Sequence, residues 1–203
     1  MKRTFDLVIS SLGLVALSPV FLLIALAILL ESPGPVFFRQ ERVGKGGIPF
    51  WIFKFRSMTL NGHEEGPQIT VAGDRRVTRV GRFLRRAKLD ELAQLINVWR
   101  GEMSLVGPRP EVPAYVALYN ERQRKVLFVQ PGITDPASVQ YVQEESLLAA
   151  SADPLQSYVN DIMPMKLELN LDYIENMSLA KDLKIIFHTL MRIFRNPRAS
   201  DCG

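Results

Sequence analysis

Residues 88–98 read KLDELAQLINV, and this stretch best indicates how the chain folds and what it does. At helical period five apolar residues share one face: Leu89, Leu92, Leu95, Ile96 and Trp99. Asp90, Gln94 and Asn97 recur at helical spacing and form a polar stripe on the opposite side. Glu91 lies roughly 100° around the helix from Asp90, so the two carboxylates need not share one proton. One can serve as a nucleophile and the other as a metal ligand.

Arginines lie on both sides of this carboxylate pair. Arg85 and Arg86 precede it, and Arg109 follows between Pro108 and Pro110, whose rings restrict the backbone around it. Guanidinium groups bind phosphate in a bidentate fashion, so the pattern suits a polyanionic substrate. The alternative from local sequence alone is that the acids only complement the dipole of a helix N-terminus.

The N-terminal segment is apolar and carries no charge between residues 7 and 30. A run of about 24 residues could just cross a hydrocarbon core of about 30 Å. We reject a cleaved signal peptide, because the run is long and ESPGP at 31–35 offers no small-x-small cleavage site. Ser18-Pro19 lies in the middle, where proline removes a helical hydrogen bond, so we predict a bend there.

Basic residues flank both ends of this segment: Lys2, Arg3, Arg39, Arg42 and Lys45. The positive-inside tendency would place both flanks on the cytoplasmic side. Residues 1–32 are therefore predicted to form a re-entrant helix-break-helix that enters and leaves one leaflet. A simple spanning anchor remains an alternative, because proline also occurs in spanning helices.

The composition limits the other readings. A chain of 203 residues has room for one compact domain, 33–203, beside the membrane segment. Cys202 is the only cysteine, which fits a reducing cytoplasm. One cysteine and two histidines do not make a zinc site. A site for a hard cation with oxygen ligands is possible. The pI of about 9.3 admits nucleic acid. However, arginines accompany apolar residues at 75–86, as in a helix on an anionic membrane or a solvated basic face, and no nucleic-acid motif is present.

The remaining pattern predicts an α+β fold that is mostly helical. Runs at 36–43 and 48–58, separated by the turn residues 44–47, indicate a β-hairpin. On its second strand Lys54 and Arg56 share one face, where two cations could meet a diphosphate or simply be solvated. Residues 59–74 are predicted to form a loop. Helices are predicted at 75–99, 113–128, 144–150, 161–171 and 179–195. The last has an apolar stripe, for core packing or shallow membrane contact: Leu179, Leu183, Ile186, Phe187, Leu190 and Phe194.

The central block closely resembles the signature of the bacterial sugar transferases, the monotopic phosphoglycosyl transferases that start glycan assembly on polyprenol phosphate. The likeness runs from the N-terminal apolar segment through FKFRSM at 53–58, KLDELAQLINV at 88–98, RGEMSLVGPRP at 100–110 and PGIT at 131–134. It covers most of the chain, and so long a set of motifs is far more specific than an acidic dipeptide.

The resemblance implies a complete chemistry. A UDP-sugar would be the donor and polyprenyl (undecaprenyl) phosphate the acceptor, at the bacterial inner membrane with the catalytic domain facing the cytoplasm. Asp90 would be the nucleophile that carries the phosphosugar, and Glu91 the protein ligand of Mg²⁺. Arg85 and Arg109 match positions that hold the donor or covalent phosphate. On the hairpin, Lys54 and Arg56 could assist.

At two places the sequence departs from the family pattern, and these departures limit what the resemblance implies for this chain. Much of the family has Thr-Gly-Leu-x-Gln-Val where this chain has TDPASV at 134–139, so acceptor and sugar selection are open near 135–141. Ala93 stands where proline is frequent in the family. Two rival functions remain, one that uses the same carboxylates and arginines and one in which the basic helix and the apolar segment serve only as anchors. A metal-dependent diphosphate hydrolase would transfer the phosphoryl group to water, and a membrane scaffold would catalyse nothing.

Overall fold

A computed structural model of the chain describes residues 2–59, 74–141 and 144–195. Ten α-helices are described: α1 (Lys2–Ala16), α2 (Ser18–Glu31), α3 (Arg79–Arg86), α4 (Leu95–Arg100), α5 (Pro113–Val116), α6 (Pro136–Gln140), α7 (Glu144–Ala149), α8 (Pro154–Ser157), α9 (Met163–Glu175) and α10 (Leu179–Arg195). Shorter helical segments are 3₁₀ at Lys45–Gly47, Leu89–Gln94 and Gln123–Phe128, and a π-helical segment at Tyr158–Ile162. The strands are β1 (Phe37–Val43), β2 (Pro49–Phe55), β3 (Ser104–Val106) and β4 (Gly132–Thr134). The described part of the fold is therefore α+β and mostly helical, as predicted.

The N-terminal segment is broken at the predicted place. The axes of α1 and α2 differ by 59°, and within the described residues no single helix is long and apolar enough to cross a membrane, although the bent pair could by length and composition. Pro19 lies in the first turn of α2, and the hydroxyl of Ser18 donates to the carbonyl of Val15 at 2.7 Å. Proline is tolerated there because that turn has no intrahelical partner for its nitrogen.

Polar residues of α1 also hold it against the rest of the fold. Lys2 forms an ion pair with the buried carboxylate of Asp182, at the start of α10. Arg3 donates to the carbonyls of Val98 and Trp99 at 2.5 and 3.0 Å, at the end of α4. Asp6 accepts from the backbone N–H of Leu105 at 3.1 Å. The bend thus coincides with both the proline and these contacts. The division into segments 1–32 and 33–203 stays a prediction.

The end of α2 is tied to the hairpin and to α3. Arg56 is buried and donates to the carbonyls of Ser32 and Pro33, both at 2.7 Å. The carboxylate of Glu31 accepts from the first two backbone N–H groups of α3, those of Arg79 and Val80, at 2.7 and 3.0 Å. These N–H groups have no intrahelical acceptor, so Glu31 caps α3 from another element.

The predicted hairpin is confirmed. Strands β1 and β2 pair antiparallel with Phe37 opposite Phe55 and Val43 opposite Pro49. One core cluster joins this hairpin, α2 and the segment that carries the acids: Ile24, Ile28, Phe55, Leu84 and Ala93. Ala93 has no exposed surface in this cluster, so its small side chain fills the place where the family often has proline.

Several element boundaries differ from the prediction. The basic helix and the carboxylate helix expected within 75–99 are α3 and the pair formed by the 3₁₀ segment Leu89–Gln94 and α4. Lys88, with a left-handed backbone at φ of 55°, separates the two. The helix expected at 113–128 is α5 followed by the 3₁₀ turn Gln123–Phe128. The parallel pair of β3 and β4 was missed, since strands of three residues leave almost no periodicity to detect.

The apolar stripe of α10 is mostly not core. Leu179, Leu183, Phe187 and Leu190 are 41–59% exposed. Ile186 packs against the cluster around α4 and β3, together with Ile185. Core packing was therefore the wrong interpretation for these four residues. The side chain of Phe194 lies outside the described residues, as do most of the predicted 59–74 loop and Cys202.

The proline-driven part of the bend can be tested by replacing Ser18 and Pro19 with alanine. We expect α1 and α2 to straighten into one helix of about 45 Å, long enough to span a bilayer. A cysteine at Thr4, which is exposed, then reports sidedness by labelling in oriented vesicles, in a background with Cys202 replaced by serine. Straightening would move the label to the opposite side. Unchanged labelling would assign the bend to the contacts of Lys2, Arg3 and Asp6 instead.

A second prediction concerns the close approach of β4 to Gly107. A Cβ added at Gly132 would lie 2.1 Å from the backbone nitrogen of Gly107. Neither β4 nor the chain that follows β3 can move freely to relieve this contact. Gly132→Ala should cost about 2–4 kcal/mol and lower the melting temperature by several degrees. Gly13→Ala is the matched control, because its Cβ meets only the end of the Leu95 side chain at 3.2 Å. Equal melting temperatures for the two variants would contradict this packing.

Candidate active site

The two predicted acids, Asp90 and Glu91, lie on a 3₁₀ helix, so their side chains point in directions that differ from those of an α-helix. Asp90, Gln94 and Asn97 are 7%, 1% and 0% exposed, so the polar stripe points into the protein. Trp99, assigned to the apolar face, is 52% exposed. The left-handed Lys88 turns the chain sharply after α3, which re-aims the next residues. A non-glycine residue in this conformation is strained, and such strain concentrates at functional sites.

Asn97 has a structural role in this stripe. Its side-chain oxygen accepts from the backbone N–H of Phe53 at 2.9 Å, and its amide donates to the carbonyl of Trp51 at 2.8 Å. The amide also donates to the Glu102 carboxylate at 2.7 Å. Asn97 therefore supplies hydrogen bonds that a third strand would make, and it fixes α4 against β2.

Glu91 is the point where three elements meet. Its carboxylate accepts from the ammonium of Lys54 on β2 at 3.0 Å. Both terminal nitrogens of Arg109 donate to it as well, one at 3.2 Å. Lys54 and Arg109 were predicted to bind substrate phosphate and Glu91 to bind Mg²⁺, and the structure brings the three side chains together. Such a fork of two parallel hydrogen bonds is the strongest common geometry for an arginine and an oxyanion.

The same contacts set the protonation state of Glu91. Burial favours the neutral acid, but the charges of Arg109 and then Lys54 outweigh it and hold the pKa of Glu91 well below its usual range. The carboxylate raises the pKa of Arg109 in turn. Burial lowers the pKa of Lys54, and Glu91 opposes that shift. Glu91 is therefore an anion at neutral pH, held by two cations.

Asp90 has the opposite environment. Burial, and then the negative charge of Glu91, raise the pKa of Asp90 above its usual value. Lys54, Lys88 and Arg85 act against this rise. Its buried Oδ1 has no hydrogen-bond partner. A buried carboxylate oxygen without a donor is costly to the fold, and it is free to react or to bind a cation. The two adjacent acids thus lie in different environments, and their separate roles as nucleophile and metal ligand stay predictions.

The other predicted cations divide into two groups. Arg85, in the last turn of α3, is near enough for its charge to lower the pKa of Asp90. Arg56 instead donates both terminal nitrogens to the carbonyls of Ser32 and Pro33. It lies just beyond β2, where strand alternation no longer places it with Lys54. A phosphate role for Arg56 stays a prediction, and its observed contacts are structural.

A magnesium ion would fit this site. Within the described residues no group of three or more His, Cys, Asp or Glu side chains could hold a metal by itself. Mg²⁺ does not need one, since it commonly binds one or two carboxylates together with substrate phosphates and water. The unpartnered Oδ1 of Asp90 and the neighbouring carboxylate of Glu91 offer that donor set.

Sequence reasoning missed the residues behind Arg109. Glu111 accepts a hydrogen bond from the hydroxyl of Tyr158 and lies 3.5 Å from the guanidinium of Arg42. Arg42 also donates to the carbonyl of Pro110 at 3.1 Å. Arg42 had been considered only as a flanking charge. No local pattern reveals this network, because Tyr158 is 47 residues from Glu111.

Comparison with known proteins agrees with the motifs. Residues 1–196 match the family described as bacterial sugar transferase. The chain belongs to the bacterial sugar transferase family.

Three relatives indicate what members of this family do. The chain is 41% identical over 203 residues to a UDP-glucose:undecaprenyl-phosphate glucose-1-phosphate transferase of Caulobacter vibrioides, covering 98% of the chain and 71% of that protein. It is 40% identical to a UDP-N-acetylgalactosamine-undecaprenyl-phosphate N-acetylgalactosaminephosphotransferase of Aeromonas hydrophila, covering 95% of the chain and 43% of that protein. A UDP-glucose:undecaprenyl-phosphate glucose-1-phosphate transferase of Escherichia coli strain K12 is 41% identical, covering 98% of the chain and 41% of that protein. The chain thus spans less than half of the last two transferases.

The opposite environments of the two acids predict opposite effects on stability. A raised pKa means that Asp90 stabilises the fold when protonated and loses this contribution as pH rises through its pKa. Asp90→Asn should therefore raise the melting temperature at pH 7 by about 2–4 °C, or about 1 kcal/mol. The gain should vanish below about pH 4.

Glu91→Gln is the matched control, one residue away. A lowered pKa means that Glu91 stabilises the fold above its usual pKa and loses this contribution as pH falls. The variant should melt lower than wild type at pH 7, with the difference narrowing below about pH 4. Melting curves in chelator-containing buffer from about pH 3 to pH 8 check both signs, because the expected changes fall near and below about pH 4. Destabilisation by Asp90→Asn at pH 7 would contradict the assignment.

Proposed function

We propose that this chain transfers a sugar 1-phosphate from a UDP-sugar to polyprenyl phosphate, giving polyprenyl-diphosphate sugar and UMP. The observation that carries the proposal is the pair of unlike acids. Asp90 has an unpartnered buried oxygen, and Glu91 beside it holds Lys54 and Arg109. Relatives that share about 40% identity are named for this reaction with glucose or N-acetylgalactosamine donors. The identity of the sugar is left open by their names, which differ.

The reaction proceeds in two displacements at one phosphorus. An Asp90 carboxylate oxygen attacks the phosphorus that carries the sugar, and the bond from that phosphorus to the UMP oxygen breaks. UMP leaves, and the sugar phosphate remains on Asp90 as an acyl phosphate. An oxygen of the lipid phosphate then attacks the same phosphorus, the bond to Asp90 breaks, and the carboxylate is regenerated.

The cations near the two acids reduce the repulsion between the reacting groups in these steps. A carboxylate and a diphosphate repel each other, so neutralising charge and positioning the two provide most of the catalysis. Arg109 and Lys54 already hold one oxyanion, Glu91, and their remaining N–H groups are suited to phosphate oxygens. Arg85 adds positive charge near Asp90. Mg²⁺ held by Glu91 and by Asp90 Oδ1 would neutralise phosphate charge when bound.

The apolar surfaces support a location at the membrane. We place α1 and α2 in one leaflet of the inner membrane as a re-entrant pair, with the remaining fold on the cytoplasmic face. The outward residues of both helices are strongly exposed in the structure, Leu12 at 62%, Val15 at 76% and Leu22 at 72%. The exposed apolar face of α10 would rest on the same surface. A soluble donor and a lipid-bound acceptor then reach one site.

The proposal is tested by UMP release from detergent-solubilised protein. The assay uses UDP-glucose, UDP-galactose and UDP-N-acetylgalactosamine, with Mg²⁺, with and without undecaprenyl phosphate. We expect release that depends on the acceptor, with the sugar phosphate moved to lipid. Release to water without acceptor would make the chain a diphosphate hydrolase. No release from any donor would favour the scaffold function.

Two variants assign the acids in this assay. Asp90→Asn should lower turnover by at least about a thousandfold, because an amide cannot act as the nucleophile. Glu91→Gln should lower turnover and shift the Mg²⁺ titration to higher concentration, since a ligand and the anchor of two cations are lost. Substantial turnover by the Asn variant would remove Asp90 from the nucleophilic role. An unchanged Mg²⁺ titration would contradict ligation by Glu91.

A further inference from the structure

A narrow gap lies on the side of Arg109 that faces α9. Its lining residues are Pro108, Arg109, Glu111, Tyr119, Tyr158, Met163, Lys166, Leu167 and Asn170. Its free volume is about 10 Å³. That volume holds about one water-sized group, such as a hydroxyl. The side chain of Arg109 lines the gap and also donates to Glu91. This one side chain therefore separates the gap from the two acids.

The polar groups in this gap include an unsatisfied acceptor. Asn170 is 3% exposed, and its amide donates to the carboxylate of Asp135 at 2.8 Å. An ionised carboxylate only accepts hydrogen bonds, so the amide nitrogen must face Asp135 and the oxygen must face away. That oxygen is buried and has no partner. A buried acceptor without a donor is costly unless a bound molecule supplies one.

Asp135 is held firmly in this arrangement. It has no exposed surface, and its second oxygen accepts from the backbone N–H of Ser138 at 2.6 Å as the N-cap of α6. The residue belongs to the stretch where the sequence departs from the common family pattern. Asp135 therefore holds the amide nitrogen of Asn170, and the amide oxygen of Asn170 is the atom left without a partner.

Lys166 supplies a cation to the same gap. It lies one helical turn before Asn170 on α9, so both side chains are on one face. It is 8% exposed and its ammonium donates to Glu144 at 2.8 Å. The ammonium also lies 5.4 Å from the centre of the Tyr158 ring. An ammonium has three donors, and Glu144 is the one acceptor that its side-chain contacts occupy within the described residues.

We propose that this gap is a subsite for one hydroxyl group of the donor's sugar, and this inference rests on the proposed function. The hydroxyl would donate its hydrogen to Asn170 Oδ1, and its oxygen would accept from Lys166. Arg109 would bind the phosphate next to it. The sugar is attached to the phosphorus that Asp90 attacks, so it must lie beside the phosphate-binding cations. Asn170 and Lys166 are then specificity-determining residues.

The test separates recognition of the sugar from recognition of the nucleotide. Binding of UDP-glucose, UDP-galactose and UMP is measured by calorimetry, with Mg²⁺, for wild type, Asn170→Ala and Lys166→Met. All proteins carry Asp90→Asn, so binding is read without turnover. We expect each variant to bind the preferred UDP-sugar about tenfold to a hundredfold more weakly, with UMP binding unchanged. The preference between the two sugars, which differ at one hydroxyl, should shrink.

Controls keep a structural defect apart from a lost contact. Asn160→Ala removes an exposed amide from the π-helical segment just before α9, and Lys184→Ala removes an exposed ammonium from α10. Neither should change binding. Lys166→Arg keeps the positive charge and should retain most of the affinity, and melting temperatures confirm that each variant folds.

Several outcomes would overturn the subsite. Equal weakening of UMP and UDP-sugar would assign the gap to the nucleotide. Unchanged binding of all ligands in folded variants would mean that a structural water satisfies Asn170. These outcomes do not depend on turnover. Failure of the transferase proposal appears separately, as wild-type protein that binds UDP-sugars without releasing UMP in the presence of acceptor.

Discussion

One partly buried carboxylate, that of Glu91, organises the catalytic part of this molecule. Lys54 reaches it from the hairpin and Arg109 from the loop after β3, while Glu91 itself comes from the helix between them. Each of the three charges would be expensive to bury alone, and together they are paired. The same pairing leaves the neighbouring Asp90 as the carboxylate whose buried oxygen has no donor. Charge pairing therefore distinguishes the two acids, which is the basis for proposing Asp90 as the nucleophile.

The fold supports this arrangement from several directions with few residues. Asn97 attaches α4 to the edge of the hairpin. Arg42 and Glu111 fix the backbone just after Arg109. The near contact of Gly107 and Gly132 lets β3 and β4 lie side by side, so the loop leaves at a defined angle. Precision at the reacting groups thus depends on hydrogen bonds and close backbone approach more than on regular secondary structure.

The sequence located the residues of the candidate site better than it predicted the helices. The acids, the hairpin, the break near Pro19 and three of the cations could be found because each has a local pattern or a family motif. The helix through Asp90 is present, but it is 3₁₀ as far as Gln94 and α-helical only from Leu95, a difference that apolar periodicity does not reveal. Strand alternation predicted that Arg56 shares a face with Lys54, but β2 ends at Phe55, so the alternation does not extend to Arg56.

The gap beside Arg109 could not have been predicted at all. Asn170 and Asp135 are 35 residues apart, and the free atom of Asn170 is set by its tertiary partner. From sequence, Lys166 and Asn170 are ordinary polar residues of a helix. A departure from the family pattern at Asp135 was visible, but its meaning needed the contact with α9.

The attachment of α2 has a consequence for lipid thickness. Its 14 residues correspond to about 21 Å of helix, and its last turn is fixed to the hairpin by Arg56 and to α3 by Glu31. Half of a hydrocarbon core is about 15 Å. If α2 enters one leaflet, its tilt must adjust to that depth, and the hairpin must tilt with it. The angle at which the reacting acids meet the lipid headgroups would then vary with the thickness of the bilayer.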